Sequence, residues 1–220
     1  MELWDLLNER GEPTGNTMVR GERLRLGQYH LVVHIWAADS RGRLLIQRRA
    51  DHLALMPGVW AVTGGSAIHG EDSLTAARRE LREELGIAAR PEELEFVGRL
   101  RRRNSFSDLW LLRRDIALQE LTLQKEEVAD ARWVTREELE AMVREKTFHN
   151  YGRPYFEKVF RAVYGSDGGE PGASPGKPAG GQVRQAPKRA GTGRREAELC
   201  PGNGSAPPSE ANTRKRGGMG

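Results

Sequence analysis

The sequence predicts an α/β protein, a mixed β-sheet with helices on both faces in an α/β/α sandwich. Three observations lead there. Residues 29–38 (YHLVVHIWAA) are apolar at odd and even positions alike, the pattern of a strand covered on both sides. Strand-like and helix-like segments alternate through residues 1–164 instead of forming separate runs. Leu74, Leu81 and Leu85 fall within about 40° of one another on a helical wheel, a narrow apolar stripe that can dock on a sheet.

The elements follow in order. Residues 2–7 (ELWDLL) and 16–20 predict an N-terminal strand pair, with the turn-rich stretch 8–15 between them. After the central strand 29–38, Asp39-Ser40-Arg41-Gly42 makes a turn and 43–49 (RLLIQRR) the next strand. A loop through Pro57-Gly58 precedes residues 59–63, which lead into a glutamate-rich helix over about 72–85. Strands are expected at 94–103, 107–116 and 130–134. A helix starts near Arg136 behind Thr135, a good N-cap, and a last helix covers 154–163.

Composition divides the chain at about residue 164. From Gly165 to Gly220 Gly, Pro, Ser and charge dominate and large apolar residues nearly vanish, so burial cannot offset ordering entropy. That segment is expected to be a disordered basic tail. It also carries the whole formal excess of +4, leaving 1–164 neutral. With no interleaved aromatics to stack bases, the tail predicts no specific nucleic-acid partner. The one cysteine, Cys200, lies there, which excludes a disulfide framework or a thiolate metal site within one chain. There is no signal-peptide pattern and no apolar run of membrane-spanning length, so a cytoplasmic protein with no membrane partner is expected.

Chemistry concentrates between Gly64 and Ile87. The skeleton is Gly65, five residues, Glu71, seven residues, Arg79-Glu80-Leu81, one residue, Glu83-Glu84, one residue, Gly86-Ile87. Glu80, Glu83 and Glu84 share an arc of about 100° on one helix face. Crowded carboxylates repel, and a divalent cation removes that penalty; hard oxygen ligands suit Mg²⁺ or Mn²⁺. Arg79, one turn before Glu83, can pair with it. A solvated acidic face is the ordinary fate of a Glu-rich helix, but Glu71, Arg79 and the flanking glycines in register argue against it. Seven fixed identities and two apolar slots at this spacing arise by chance at odds on the order of 10⁻⁷.

This pattern resembles the signature of the Nudix hydrolases at every defining position. The resemblance covers 28–145 closely and the outer elements more loosely. It implies a Nudix fold and metal-dependent hydrolysis of a diphosphate linked to another moiety. Glu83 and Glu84 would be the main metal ligands, Glu80 a supporting one, and the backbone around Gly64 and Gly65 the close approach to metal and substrate. In many members a glutamate just ahead of a later strand completes the site. Glu127 is favoured over Glu126 on position, and the proton acceptor is Glu84 or Glu127. A phosphate-binding arginine at the strand that Arg48 and Arg49 close is also similar to what the family has, and a fixed guanidinium suits bidentate phosphate binding. Neighbouring strand residues point opposite ways, so one of the two must turn from the other's face.

Other residues read more plainly. Trp36, Phe106 and Trp110 could wall a substrate pocket, but strand aromatics usually pack a core, and so does Trp60. His30 and His34 share one strand face and are expected to satisfy internal hydrogen bonds, not bind metal. The partner is a small-molecule diphosphate, and a homodimer is compatible with the sequence. Trp4-Asp5-Leu6, His30 to His34 and Pro57-Gly58-Val59-Trp60 look like the branch related to isopentenyl diphosphate isomerase. That enzyme needs a cysteine shortly after the loop, where this chain has Ala61-Val62-Thr63-Gly64-Gly65. The isomerase and a non-catalytic binding module are therefore the competing readings. Removal of residues 165–220 should leave cooperative unfolding and turnover nearly unchanged, as measured by thermal denaturation and rate.

Overall fold

The computed structural model describes residues 2–165. The stretch read as a disordered tail lies outside the described residues beyond Gly165, Cys200 included. The elements are β1 (Leu3–Leu7), β2 (Pro13–Val19), β3 (His30–Ala38), β4 (Leu44–Arg49), β5 (Trp60–Ala61), β6 (Thr63–Ser66), α1 (Ser73–Leu85), β7 (Leu94–Arg101), β8 (Ser105–Arg113), β9 (Val128–Val134), α2 (Arg136–Arg144) and α3 (Arg153–Tyr164). Strands β1 and β2 form a separate antiparallel pair. The other seven make one mixed sheet around β3.

β3 is central because three strands share its edges. β8 runs parallel to it from His30↔Ser105 to Ala38↔Arg113. On the other edge β6 pairs with its first half (Val32↔Ser66 to Ile35↔Thr63) and β4 with its end (Ala37↔Leu45, Ala38↔Leu44). Alternation along the strands builds two cores. Val33, Ile35, Ala37, Leu45, Trp110 and Leu112 face α1, where Ala77, Leu81 and Leu85 meet them. Trp36, Ala38, Leu44, Ile46, Leu109 and Leu111 face α2 and α3, represented by Leu139, Tyr155 and Val159. Trp36 donates its indole N–H to the Tyr155 hydroxyl at 3.0 Å, pinning α3 to the sheet. Trp36, Phe106 and Trp110 are all buried core residues, and Trp60 packs partly against the α3 side.

Local chemistry sets the helix ends. The Asp72 carboxylate accepts the Thr75 N–H at 2.7 Å to start α1. Gly86 ends it at φ 72°, where a Cβ would meet the Thr122 side chain at 2.8 Å. Thr135 and Glu138 form a reciprocal capping box at the start of α2. The N-terminal turn is tighter than the composition suggested. The Asn8 side-chain oxygen accepts N–H groups of Arg10 and Glu12 at 2.8 and 3.1 Å, so β2 begins already at Pro13. The turn before β8 is similarly tight, Arg102 N–H reaching Ser105 O at 2.8 Å, and β8 starts at Ser105.

The two strand histidines do not behave as expected. Each leaves its Nδ1 buried with no hydrogen-bond partner among the described residues, so internal hydrogen bonding is not their role. They are held by stacking instead. His30 lies flat on Trp4 with ring centroids 4.1 Å apart, and His34 meets Tyr151 and Tyr155 edge-on. Burial, with Arg20 nearby, pushes the His30 pKa down to about 4. Burial, with Arg102 nearby, takes His34 down to about 3. The unfolded chain accepts these protons near pH 6.5 and the folded chain refuses them, so stability is lost as pH falls below about 6.5. Denaturant titrations from pH 7 to pH 5 should register a loss of roughly 4 kcal/mol from the pair. In His30→Phe the slope should be visibly shallower.

Candidate active site

Helix α1 brings its glutamates to the sheet at β6 and β4. Glu84 is 2 % exposed, and its Oε2 accepts the Gly64 backbone N–H at 3.0 Å and the Gln47 side-chain N–H at 2.8 Å. One carboxylate thus ties α1, β6 and β4 together. Burial, then the charge of Glu80, pushes its pKa up to about 8. Glu80 is also buried, and burial takes it to about 6 against the pull of Arg79. The paired glycines make this approach feasible. A Cβ on Gly64 would sit 2.1 Å from the Val33 carbonyl oxygen, and one on Gly65 only 2.3 Å from Glu80 Oε1.

Arg79 is the cation that these acids share. Its Nε and Nη2 donate to Glu71 at 2.8 and 3.0 Å in a bidentate pair. Its Nη1 reaches Glu80 and Glu83, each at 2.9 Å, and Nη2 also reaches Ser66 O at 3.1 Å. The Glu71 hydrogen bond, more than any other contact, holds the guanidinium firmly charged. Glu83 is half exposed, the open member of the set. The loop between β6 and α1 is clamped from outside by β1: Asp5 pairs with the His69 ring at 2.7 Å and accepts the Gly70 N–H at 2.8 Å. Among the described residues no three acidic, His or Cys side chains already converge into a metal cage. Arg79 draws Glu80 and Glu83 toward itself, while Gln47 and Gly64 hold Glu84.

Glu127 immediately precedes β9, its carbonyl oxygen accepting the Ala50 N–H at 2.8 Å. It is partly buried, and its charge raises the pKa of both Glu80 and Glu84, so it belongs to the same electrostatic cluster. Glu126 beside it is exposed. The arginines separate as strand geometry requires. Arg49 lines a cavity of about 370 Å³ with Gly64, His34, Arg102, His149 and Tyr151. Arg48 lines no part of that cavity and pairs with exposed Asp51 at 2.7 Å.

The chain has counterparts among known proteins. The NUDIX domain model matches residues 28–158. The chain belongs to the Nudix family. An uncharacterised Nudix hydrolase of Listeria monocytogenes is 48 % identical over 143 residues, covering 64 % of this chain and 85 % of that one. Nudix hydrolase 3 of Arabidopsis thaliana is 36 % identical over 151 residues, which cover 62 % of this chain but only 20 % of that longer protein. The crystal structure of DR0079 from Deinococcus radiodurans superposes with a TM-score of 0.58 at 26 % identity, covering 74 % of this chain and 99 % of that one. The protein is a Nudix-type hydrolase with the fold of that family.

Gln47, Arg102, His149 and Tyr151 escaped the sequence reading. Gln47 carried a usable signal, a polar residue inside the apolar run LLIQ; the others reach the site through turns distant in sequence. Glu84 also generates a prediction for this hydrolase. Its folded pKa lies above the unfolded value near 4.5, so ionising it costs stability progressively as pH rises from about 4.5 to 8. In chelator at pH 8.5, Glu84→Gln should be more stable to denaturant than the wild type, by roughly 4 kcal/mol from the removed charge. The gap should narrow at pH 6.

Proposed function

We propose that this Nudix hydrolase cleaves the pyrophosphate bond of a diphosphate joined to a second moiety, nucleoside diphosphates linked to another group being the leading class. The observation that carries this reading is Glu84, a carboxylate buried at a cost beside Glu80 and Glu127, adjoining an arginine-lined cavity through Gly64. Structural ion pairs do not need three acids crowded in this way, and the donor set is all hard oxygen. It fits Mg²⁺ or Mn²⁺, with Glu80, Glu83, Glu84 and Glu127 as the ligands. Such an ion, when bound, supplies neutralisation of the charge that develops on the phosphate oxygens.

The residues divide the remaining work. Arg49 and Arg102 present guanidinium groups to the phosphates in the cavity beside Gly64. Gly64 and Gly65, lacking side chains, let substrate oxygens approach the backbone closely. Glu71 holds Arg79 bidentately, so the guanidinium would keep its place if Glu80 and Glu83 were to hold a metal ion. A carboxylate of the set, Glu84 or Glu127, takes the proton of the attacking water.

The isomerase reading has nothing to supply its acid: Thr63 and Gly64 stand where a thiol is needed, and a hydroxyl does not titrate near neutral pH. The test is a panel of nucleotide sugars, dinucleotides, coenzyme A, dinucleoside polyphosphates and prenyl diphosphates with Mg²⁺ or Mn²⁺. Monophosphate or phosphate release from at least one is expected, and excess chelator should stop it. Glu83→Gln and Glu84→Gln should each lower the rate by roughly 10³-fold, several kcal/mol of transition-state stabilisation. Isopentenyl diphosphate should yield no dimethylallyl diphosphate; isomer formation unaffected by Cys200→Ala would overturn the reading.

A further inference from the structure

A second cavity, of about 460 Å³, opens beside the first beneath the loop that follows β2. Arg23, Arg25, Arg103 and Asn104 line its rim, and Trp4 and His30 line it from the sheet side. None of the three guanidinium groups forms an ion pair or a side-chain hydrogen bond among the described residues, whereas eleven other arginines of the domain sit in ion pairs. Glu22 is the sole acid in the lining. Arg20, at the base of the loop, adds positive potential that reaches His30. Of the two sheet-side residues, Trp4 Nε1 and His30 Nδ1 are buried without a hydrogen-bond partner among the described residues.

The two cavities are neighbours by construction. His30 lines one, Val32 and His34 the other, and these residues follow one another on a single face of β3. Arg103 and Arg102, consecutive in the β7–β8 turn, divide in the same way. From His30 to His34 is roughly 13 Å along the strand, the reach of a substrate whose two ends carry separate charges. Arg20 also feels the charges of Glu127 and Glu80, which places the basic loop within electrostatic range of the acidic cluster.

We infer that this cavity is a phosphate subsite: it seats a terminal phosphate monoester on the far half of the diphosphate whose bond the acidic cluster breaks. The inference rests on the hydrolase reading above and narrows it to substrates with a second, separate phosphate. Unpaired guanidinium groups bind such a dianion bidentately and give up no existing ion pair to do so. The rim is loop and turn and the floor is sheet, so the floor is preorganised and the rim can adjust.

The subsite can be tested without turnover. Inorganic phosphate is titrated into the full chain in excess EDTA while the Trp4 indole N–H and the His30 ring are followed by NMR, with sodium chloride and acetate as controls. Saturable shifts with a dissociation constant in the low-millimolar range or tighter are expected for phosphate alone, and Arg25→Ala/Arg103→Ala should weaken binding at least tenfold. Both residues are on the exposed rim, and Arg25→Lys/Arg103→Lys should restore part of the affinity. Shifts that merely follow ionic strength, acetate binding as well as phosphate, or a double variant that binds unchanged would each overturn the subsite. On turnover, the double alanine variant should raise KM for substrates bearing the extra phosphate and leave kcat, and substrates lacking it, unaffected. Failure of every diphosphate to be cleaved would sink the hydrolase reading instead, whatever the titration gives.

Discussion

The structure turns on one expensive act, the burial of the Glu84 carboxylate. It accepts two hydrogen bonds, from Gly64 on β6 and Gln47 on β4, yet these do not offset the loss of water, and its pKa stays far above that of a free glutamate. A fold gains little stability from such a group. What it gains is position, since the bonds lock helix, split sheet edge and glycine turn into one frame. Arg79 plays the complementary part: one guanidinium satisfies Glu71, Glu80 and Glu83 at once and keeps the like charges from driving the helix off the sheet. The geometry is that of a site in which cation demand exceeds what the protein supplies.

Much of this was legible in the sequence because the relevant spacings are local. The arc of Glu80, Glu83 and Glu84, the Arg79–Glu83 turn and the Gly86 stop all lie within one helix, where 3.6-residue periodicity decides who meets whom. The Thr135 cap and the two-sided apolarity of β3 were readable for similar reasons. Illegible were contacts that depend on which strand edges meet. Gln47 meets Glu84 only because β4 and β6 both approach β3 from one side, and Tyr151 and Arg102 arrive from turns far apart in the chain. The histidines show a further limit. Composition suggests that a buried imidazole wants a hydrogen bond, whereas here aromatic neighbours (Trp4 for His30, Tyr151 and Tyr155 for His34) supply the contact. Arg48 and Arg49 were distinguishable in principle by strand alternation, but only the cavity says which one faces it.

The placement of both cavities follows from a change of side-chain size along two paired strands. On the α3 face, β3 presents His30, Val32, His34, Trp36 and Ala38 in turn, and β8 sets Ser105, Ser107, Leu109 and Leu111 beside the first four. Where small serines stand next to His30 and Val32, space stays open and polar atoms line it. Where Leu109 and Leu111 stand next to His34 and Trp36, the space closes and α3 packs down through Tyr155. The same strand therefore lines open space at its start and core at its end, with His34 at the crossing. Replacing the serines by larger aliphatic residues would extend the core toward the site without disturbing the ladder, because the pairing is a backbone matter. The open space in this fold is thus created by leaving two core positions unfilled, at the start of β3, where β6 brings Gly64 and, through it, Glu84.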